Sequence, residues 1–553
     1  MISSASQTPA PWWHTNLCYE IFLPSFADSN GDGVGDLRGA VAKLDYLVKL
    51  GVDSLWLTPF YPSPQADAGY DIADFCSVDP RVGTLDDFDT LLKEAHTRGL
   101  RVLIDIVPNH TSDQHPWFKR ALAAAPGSAE REWYHFRDGR GERGELPPNN
   151  WHSLFGDTSW KRVPGEKQWY LHLFSAHQVD LNWDNPAVRD AFDDILVFWL
   201  DRGVDGLRID AANNLVKAPG LPDTDPATFS ASFGRLHGPM YDQDGVHEIY
   251  RRWHALVNRY QDRMMLAEAV GVKPIERLAN YVRSDESQQA FNFDYQMSRW
   301  SASTYRSNID LYIAAMASVN APCCWVSSSH DQLRMTTRLG LTDAGSSPMG
   351  LDSTTEQPNE QLGLDRARAL ILLTMLLPGA LYLYQGEELG LPNHTTIAPQ
   401  FRQDPRFFDS KGTMIGRDGE RIPMPWQANA PAFGFGPSDS SWLPQPDSYA
   451  RYAVDVQDKN HYSTLNLYRH LIALRTRYRL GTGTLQWFDS PRNDVLIARN
   501  GPLCACINFG YTPIDRPAGK VVAQSRPGID KGHRLPGNAA VWIALDQIPH
   551  TLN

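Results

Sequence analysis

Val204-Asp205-Gly206-Leu207-Arg208-Ile209-Asp210-Ala211 follows a helical run and reads as a short buried strand, 204–209, ending in a carboxylate. Side chains two apart on a strand share a face, so Arg208 and Asp210 point the same way. An Asp beside an Arg stays ionised at neutral pH. A held, ionised carboxylate is what a covalent nucleophile requires, and it is equally what a buried ion pair at a strand end would be. The surroundings of the stretch decide between the two.

Working outward, the same pattern repeats. Upstream, 18–22, 54–57 and 101–105 read as strands, the last also ending in Asp, with helical periodicity over 37–50 (stopped by Gly51) and 85–98 (stopped by Gly99). A helix over 186–202, opened by Pro186, leads into the central strand. Downstream, 264–268, 290–293, 324–327 and 380–384 read as strands, with helical patterns at 246–260 and 365–377. Eight strands alternating with helices predict an α/β protein built on a (β/α)8 TIM barrel, where catalytic residues sit at the C-terminal strand ends. That placement weakens the ion-pair reading of Asp210. The rhythm breaks at 108–180, a stretch rich in Trp, Pro, Gly and His that is too long for a loop and reads as a small domain inserted after the third strand. Short strands such as 495–498 and 540–544 predict a C-terminal antiparallel β-sandwich. The expected division is a barrel of 1–107 and 181–478, an inserted domain of 108–180 and a C-terminal domain of 479–553.

Composition narrows the function. The 553 residues are 42% hydrophobic and 21% charged, ordinary for a globular protein, and a net charge of −12 argues against a nucleic-acid or anionic-membrane partner. No apolar run is long enough to span a bilayer, and residues 1–15 read as a loose arm without the form of a secretory signal. The six cysteines are scattered in apolar runs with neither disulfide nor zinc spacing; buried free thiols and a reducing cytoplasm are expected. The sequence leaves the oligomeric state open.

Asp28-Ser29-Asn30-Gly31-Asp32-Gly33-Val34-Gly35-Asp36 has oxygen side chains at alternate positions and Gly33 at the sixth, like the first half of a calcium loop. The bidentate Glu of the twelfth position is absent; Gly39 stands there. Asp28, Asn30, Asp32, the Val34 carbonyl and Asp36 are expected to wrap a structural Ca2+ or Mg2+, because four alternating oxygen ligands would repel one another without a cation. The alternative is a polar, glycine-rich turn. No cofactor is expected for catalysis.

Several strand ends together resemble one family. Asp105-Ile106-Val107-Pro108-Asn109-His110, the stretch Gly206 to Ala211, Leu266-Ala267-Glu268 and Ser329-His330-Asp331 resemble, in order and spacing, four signature regions of the α-amylase family, glycoside hydrolase family 13. Gln178-Val179-Asp180-Leu181-Asn182-Trp183 resembles a fifth region, and Gly35-Asp36 with residues 37–59 a sixth. Within the family the chain is similar to α-glucosidases of the oligo-1,6-glucosidase type, through Asn149-Asn150-Trp151-His152, Gly69-Tyr70-Asp71, Gln289-Ala290-Phe291-Asn292-Phe293 and the run from Arg417 to Trp426. Val179 stands where the family usually has Pro, Ser329 where it has Asn, Asp157 where it has Gly and Leu207 where it has Phe. None of these removes a catalytic group.

The resemblance implies a retaining glycosidase acting on a small oligosaccharide. Asp210 would be the nucleophile, kept ionised by Arg208; Glu268, preceded by apolar Met265, Leu266 and Ala267, would be the acid and then the base; Asp331 would hold substrate hydroxyls and favour the oxocarbenium-like transition state. His110 and His330 would donate to hydroxyls of the reacting sugar, Asp71 would grip its non-reducing end, Tyr70 would offer a stacking face and Gln178 would line the entrance. Arg417, with Arg421 as the alternative, would close the pocket near Asp71. Taken singly, the two histidines could be core residues, Asp71 a turn cap and Tyr70 packing. In these enzymes the residue after the nucleophile tends to be Val in α-1,6 specialists and Ala or Thr in α-1,4 specialists; Ala211 points to maltose and short α-1,4 glucosides. Competing expectations are an oligo-1,6-glucosidase, an isomerase or transglucosylase such as trehalose synthase, and a non-catalytic relative. The Arg-Leu-Asp-Arg-Asp loop of sucrose isomerases is missing, and the catalytic carboxylates that non-catalytic relatives lose are present.

Overall fold

The computed structural model describes residues 10–156, 158–225, 238–346, 348–490 and 492–545. Asp157 therefore lies outside the described residues, as does most of the expected N-terminal arm. Eight parallel strands form one sheet: β1 (Leu17–Ile21), β2 (Ser54–Leu57), β3 (Arg101–Ile106), β4 (Gly206–Ile209), β5 (Met264–Ala267), β6 (Gln289–Ala290), β7 (Cys324–Val326) and β8 (Ala380–Tyr384). The order is β6-β5-β4-β3-β2-β1-β8-β7, so the sheet curls into a nearly closed barrel with β6 and β7 at its two unpaired margins.

The strands are buried on both faces, and the two-residue alternation sorts their side chains. Cys18, Trp56, Leu103, Met264, Leu266, Cys324 and Tyr382 pack together inside the barrel, while Tyr19, Leu55, Leu57, Val102, Ile104, Leu207 and Ile209 pack against the surrounding helices. Two residues further along the same inward face come Glu20 after Cys18, Asp105 after Leu103, and Glu268 after Leu266. Asp105 is in register with Arg208. An apolar plug is thus capped by a layer of buried charge at the C-terminal strand ends.

The helix before β4, Pro186–Arg202, starts on an Asn185 cap and stops at Gly203, whose φ of 101° lies in the left-handed region that glycine tolerates. Two elements differ in kind from the sequence reading, beyond shifts in where other elements begin and end, such as the helix expected over 365–377 that runs Glu360–Leu376. The expected helix over 37–50 is two helices, Leu37–Ala42 and Leu44–Leu50, because the backbone leaves helical geometry at Lys43 (φ −108°, ψ 4°). The strand expected to reach Phe293 ends at Ala290, since the Asn292 side chain accepts from the Tyr295 N–H and starts the short helix Phe293–Gln296.

Between β3 and that long helix, His110–Ser112 and Gln178–Asp180 pair antiparallel, with a three-stranded sheet of Phe136–Asp138, Trp160–Arg162 and Gln168–Leu171 beyond them. The pairing Ser112 with Gln178 and His110 with Asp180 brings two expected site residues to the barrel mouth. C-terminally, Leu485–Phe488, Val495–Asn500, Leu503–Asn508, Ala539–Ala544 and Lys520–Gln524 form a five-stranded antiparallel sheet beside a small two-stranded one. Trp542 ties the larger sheet to the helix Glu360–Leu376 by donating to the Leu372 carbonyl (2.8 Å). No helix among the described residues is long and apolar enough to cross a membrane.

Candidate active site

A pocket opens at the C-terminal ends of the strands, and Tyr70, His110, Gln178, Asp210, Ala211, Glu268, Asp331 and Arg417 all line it. Its floor is organised by one guanidinium. Arg208 Nη1 donates to Asp105 Oδ1 (2.6 Å) and Asp210 Oδ1 (2.7 Å), and Nη2 reaches Glu268 Oε1 at 2.6 Å. Asp105 also accepts from the Trp56 indole and the Tyr70 hydroxyl (both 3.0 Å), which fixes the Tyr70 ring over the site. The second oxygen of Glu268 accepts the Ala211 N–H at 3.0 Å. That N–H faces the site because Ala211 leaves the strand with φ 45°.

One cation shared among three buried carboxyls cannot keep all of them ionised. Burial raises Asp210 to about 7 and Glu268 to about 8, against the pull of Arg208, and raises Asp105 to about 6. Asp331 differs. Burial alone would raise it, but the guanidinium groups of Arg417 and Arg421 prevail and hold it well below the usual carboxylate range. Its Oδ1 accepts from Arg417 Nη1 (2.8 Å) and Arg421 Nη2 (2.9 Å). The site therefore holds one firmly ionised carboxylate beside a pair that carries protons near neutrality.

Both late arginines are engaged, in different ways. Arg417 lines the pocket and bridges Asp331, Asp67 and Asp404; Arg421 also donates to the His330 carbonyl (3.0 Å) from behind the wall. Gln178 donates to Asp67 Oδ2 and lies 3.1 Å from His110 Nε2. Burial lowers His110 to about 4, so it is a neutral imidazole at physiological pH.

Two expected contacts are placed elsewhere. Asp71 does not line the pocket. Its carboxylate accepts from Ser63 Oγ (2.8 Å) and from the N–H groups of Ala66 (2.8 Å) and Asp67 (2.9 Å), so it shapes the loop from behind. The loop backbone is turned by Gln65 (φ 67°), Ala68 (φ 48°) and Gly69 (φ 101°), and this aims Asp67 into the pocket instead. Asp67 was not singled out from the sequence; a carboxylate just before an Ala-Gly turn was the available signal. His330 lies under Asp331, stacked on Tyr70 with centroids 5.3 Å apart, rather than on the lining itself.

The 28–36 loop behaves differently from its sequence argument. Asp28 accepts from the N–H groups of Asn30, Gly31 and Gly33, Asp32 from that of Val34, and Asp36 from those of Ser29 and Gly39. Backbone amides thus supply part of the positive charge that faces these carboxylates. The donors are all hard oxygens and suit Ca2+ or Mg2+ in type. Among the described residues, no three His, Cys, Asp or Glu side chains gather as a metal-ligating group.

Residues 20–483 match the family model "Alpha amylase, catalytic domain". The chain is 33% identical to an oligo-1,6-glucosidase of Parageobacillus thermoglucosidasius, over 87% of each chain. It is 34% identical to an α-glucosidase of Pediococcus pentosaceus, over 87% of this chain and 88% of that one. Among solved structures, an α-glucosyl transfer enzyme superposes with a TM-score of 0.84 at 36% identity, covering 97% of this chain and 99% of the other. The chain belongs to the α-amylase family of glycoside hydrolases.

Proposed function

We propose that the chain is a retaining α-glucosidase that releases α-glucose from the non-reducing end of maltose and short α-1,4 glucosides, with some transfer to other acceptors. The supporting observation is the bridge of Arg208 between Asp210 and Glu268. Two carboxyls on the two terminal nitrogens of one guanidinium sit close together, as the roughly 5 Å separation of retaining enzymes needs, and leave little room for the water that inverting enzymes hold between carboxyls about 6.5–9.5 Å apart. Asp210 attacks the anomeric carbon as its bond to the leaving oxygen breaks, and Glu268 gives that oxygen a proton. Glu268 then takes a proton from water as the water oxygen displaces Asp210. Asp331, fixed as an anion, steadies positive charge at the sugar. Asp67 and Arg417 bind the far hydroxyls of the terminal glucose.

Ala211, small and on the pocket wall beside Asp210, supports the α-1,4 preference by leaving space for the leaving sugar. The similarity to an α-glucosyl transfer enzyme supports transfer as the side reaction. Proton NMR of the products of maltose, isomaltose, sucrose and trehalose tests all of this. The expected result is α-glucose as first product and faster use of maltose; β-glucose as first product, or isomaltose much faster than maltose, would overturn the reading.

A bell-shaped pH profile follows. Asp210 must be ionised, so activity rises with pH through about 7; Glu268 must be protonated, so it falls through about 8. The optimum of kcat/KM is expected between these values, and a profile still rising above pH 9 would contradict the roles.

The 28–36 loop is proposed to hold a structural Ca2+ or Mg2+ through Asp28, Asn30, Asp32, Asp36 and the Val34 carbonyl. A cation at about 100 times its Kd should stabilise the fold by ~2.7 kcal/mol, a rise of about 2 degrees in Tm after chelator-treated protein is resupplied. An unchanged Tm would leave the backbone amides as the loop's only counter-charge. The six unpaired cysteines support a reducing, cytoplasmic setting.

A further inference from the structure

Glu20 takes no part in the reaction outlined above. It sits on the inward face near the end of β1, level with Trp56 and Tyr384 on the neighbouring strands, and is 1% exposed. Its Oε1 meets Nδ1 of His330 and lies 3.4 Å from the His330 backbone nitrogen. The imidazole is stacked between Tyr70 (5.3 Å, 15°) and Phe22 (5.5 Å, 18°), which holds its plane. Its other nitrogen, Nε2, is buried, makes no hydrogen bond and lies 3.4 Å from Asp331 Oδ2.

These contacts fix the protons. Asp331 is an anion, clamped through Oδ1 by Arg417 and Arg421. A bare lone pair on Nε2 would face that anion and be repelled, so Nε2 carries hydrogen. Nδ1 then either accepts from a protonated Glu20, or both nitrogens carry hydrogen and Glu20 is ionised. The second arrangement buries two more charges. Burial opposes an imidazolium here, and Arg421, Arg208 and Arg417 oppose it further, although Asp331 favours it. Burial likewise favours the neutral acid at Glu20, against the pull of Arg208.

We propose that Glu20 is a positioning residue: as a carboxylic acid donating to Nδ1, it fixes His330 in the Nε2–H form and so sets a hydrogen rather than a lone pair beside Asp331, the carboxylate that faces the sugar. This rests on the α-glucosidase reading of the same site. The role of Glu20 is indirect; it holds one tautomer of a histidine whose opposite tautomer would turn a lone pair on an anion.

The test is a set of kinetic comparisons on maltose. Glu20→Leu keeps the bulk and removes the donor, and should lower kcat/KM ~30- to 100-fold. Glu20→Gln keeps an N–H donor for Nδ1, and should recover to within ~3-fold of the parent. Glu20→Asp keeps the acid but withdraws it by one methylene, and should lose activity as the leucine variant does; it carries the test if the leucine variant does not fold. In a His330→Ala background the Leu and Asp changes should cost almost nothing further, because their target is gone. Parent-like activity in Glu20→Leu or Glu20→Asp, a glutamine variant as poor as they are, or undiminished losses without His330 would each overturn the proposal. Those results leave the α-glucosidase reading intact if Asp210→Asn is still inactive, whereas a parent chain that cleaves no α-glucoside fails both.

Discussion

Asp210→Asn is expected to lower kcat on maltose by on the order of 10⁴- to 10⁶-fold, the scale seen when a covalent nucleophile is removed, while the chain folds at least as stably as the parent. The two halves of this result come from the same geometry. The amide cannot attack the anomeric carbon. It does keep an oxygen for Arg208, whose other contacts, to Asp105 and Glu268, are untouched. Stability moves the other way. The acid of Asp210 is raised from 3.8 to about 7 in the folded chain, so its favourable contribution is complete below 3.8 and is lost as pH rises through about 7. Above that pH the parent carries a buried anion that the fold disfavours, and the asparagine variant does not. Thermal unfolding at pH 8 should show a Tm equal to or above the parent's. Removing the neighbouring charge should also lower Glu268, since Asp210 is one of the groups that raises it. Activity within tenfold of the parent would refute the nucleophile assignment, and an inactive variant with a collapsed Tm would leave it without support.

The same contacts mark where the sequence is informative. Arg208, Asp210 and Glu268 were legible because each sits at or next to the end of a short apolar strand, and strand periodicity is a local property; Asp331, five residues beyond the last residue of its strand, was placed by motif. His110 and Gln178 were placed by motif alone; what joins them is an antiparallel pairing between segments 68 residues apart, which no local pattern encodes. The Asp71 assignment failed for a related reason. Asp67 and Asp71 are both acidic and four apart, and only the turn through Ala68 and Gly69 decides which one enters the pocket. The sharing of Arg208 by three carboxyls was also hidden. On the sequence it has one acidic partner two residues away, and as such it would hold Asp210 low; in the fold it is divided, and Asp210 rises. In the 28–36 loop the alternating oxygens were legible but the backbone amides that face them were not, because which N–H groups turn toward a carboxylate is set by the loop's fold.

Glu268→Gln separates the acid role from the base role, and it is the more diagnostic of the two large effects. On maltose the leaving group is a sugar hydroxyl and needs a proton, so kcat/KM should fall ~10²- to 10⁴-fold. On α-glucosyl fluoride the leaving group needs no proton. Asp210 should still displace it, and the covalent glucosyl-enzyme should then accumulate, because no base is left to activate water. Mass spectrometry of the trapped protein should show one added glucosyl group on the peptide containing Asp210. Azide, a nucleophile that needs no deprotonation, should restore turnover and give α-glucosyl azide, the product of two inversions at the anomeric carbon. The substitution is not silent in the fold. Glu268 uses both oxygens, one toward Arg208 and one toward the Ala211 N–H, and an amide can satisfy only one of these donors. A loss of about 1–3 kcal/mol in stability is therefore expected in the substrate-free protein. What it cannot produce is a substrate-dependent pattern. If fluoride and maltose lose activity equally and no glucosyl-enzyme forms, Glu268 is a structural ligand of Arg208 and the proton donor must be sought elsewhere on the pocket wall.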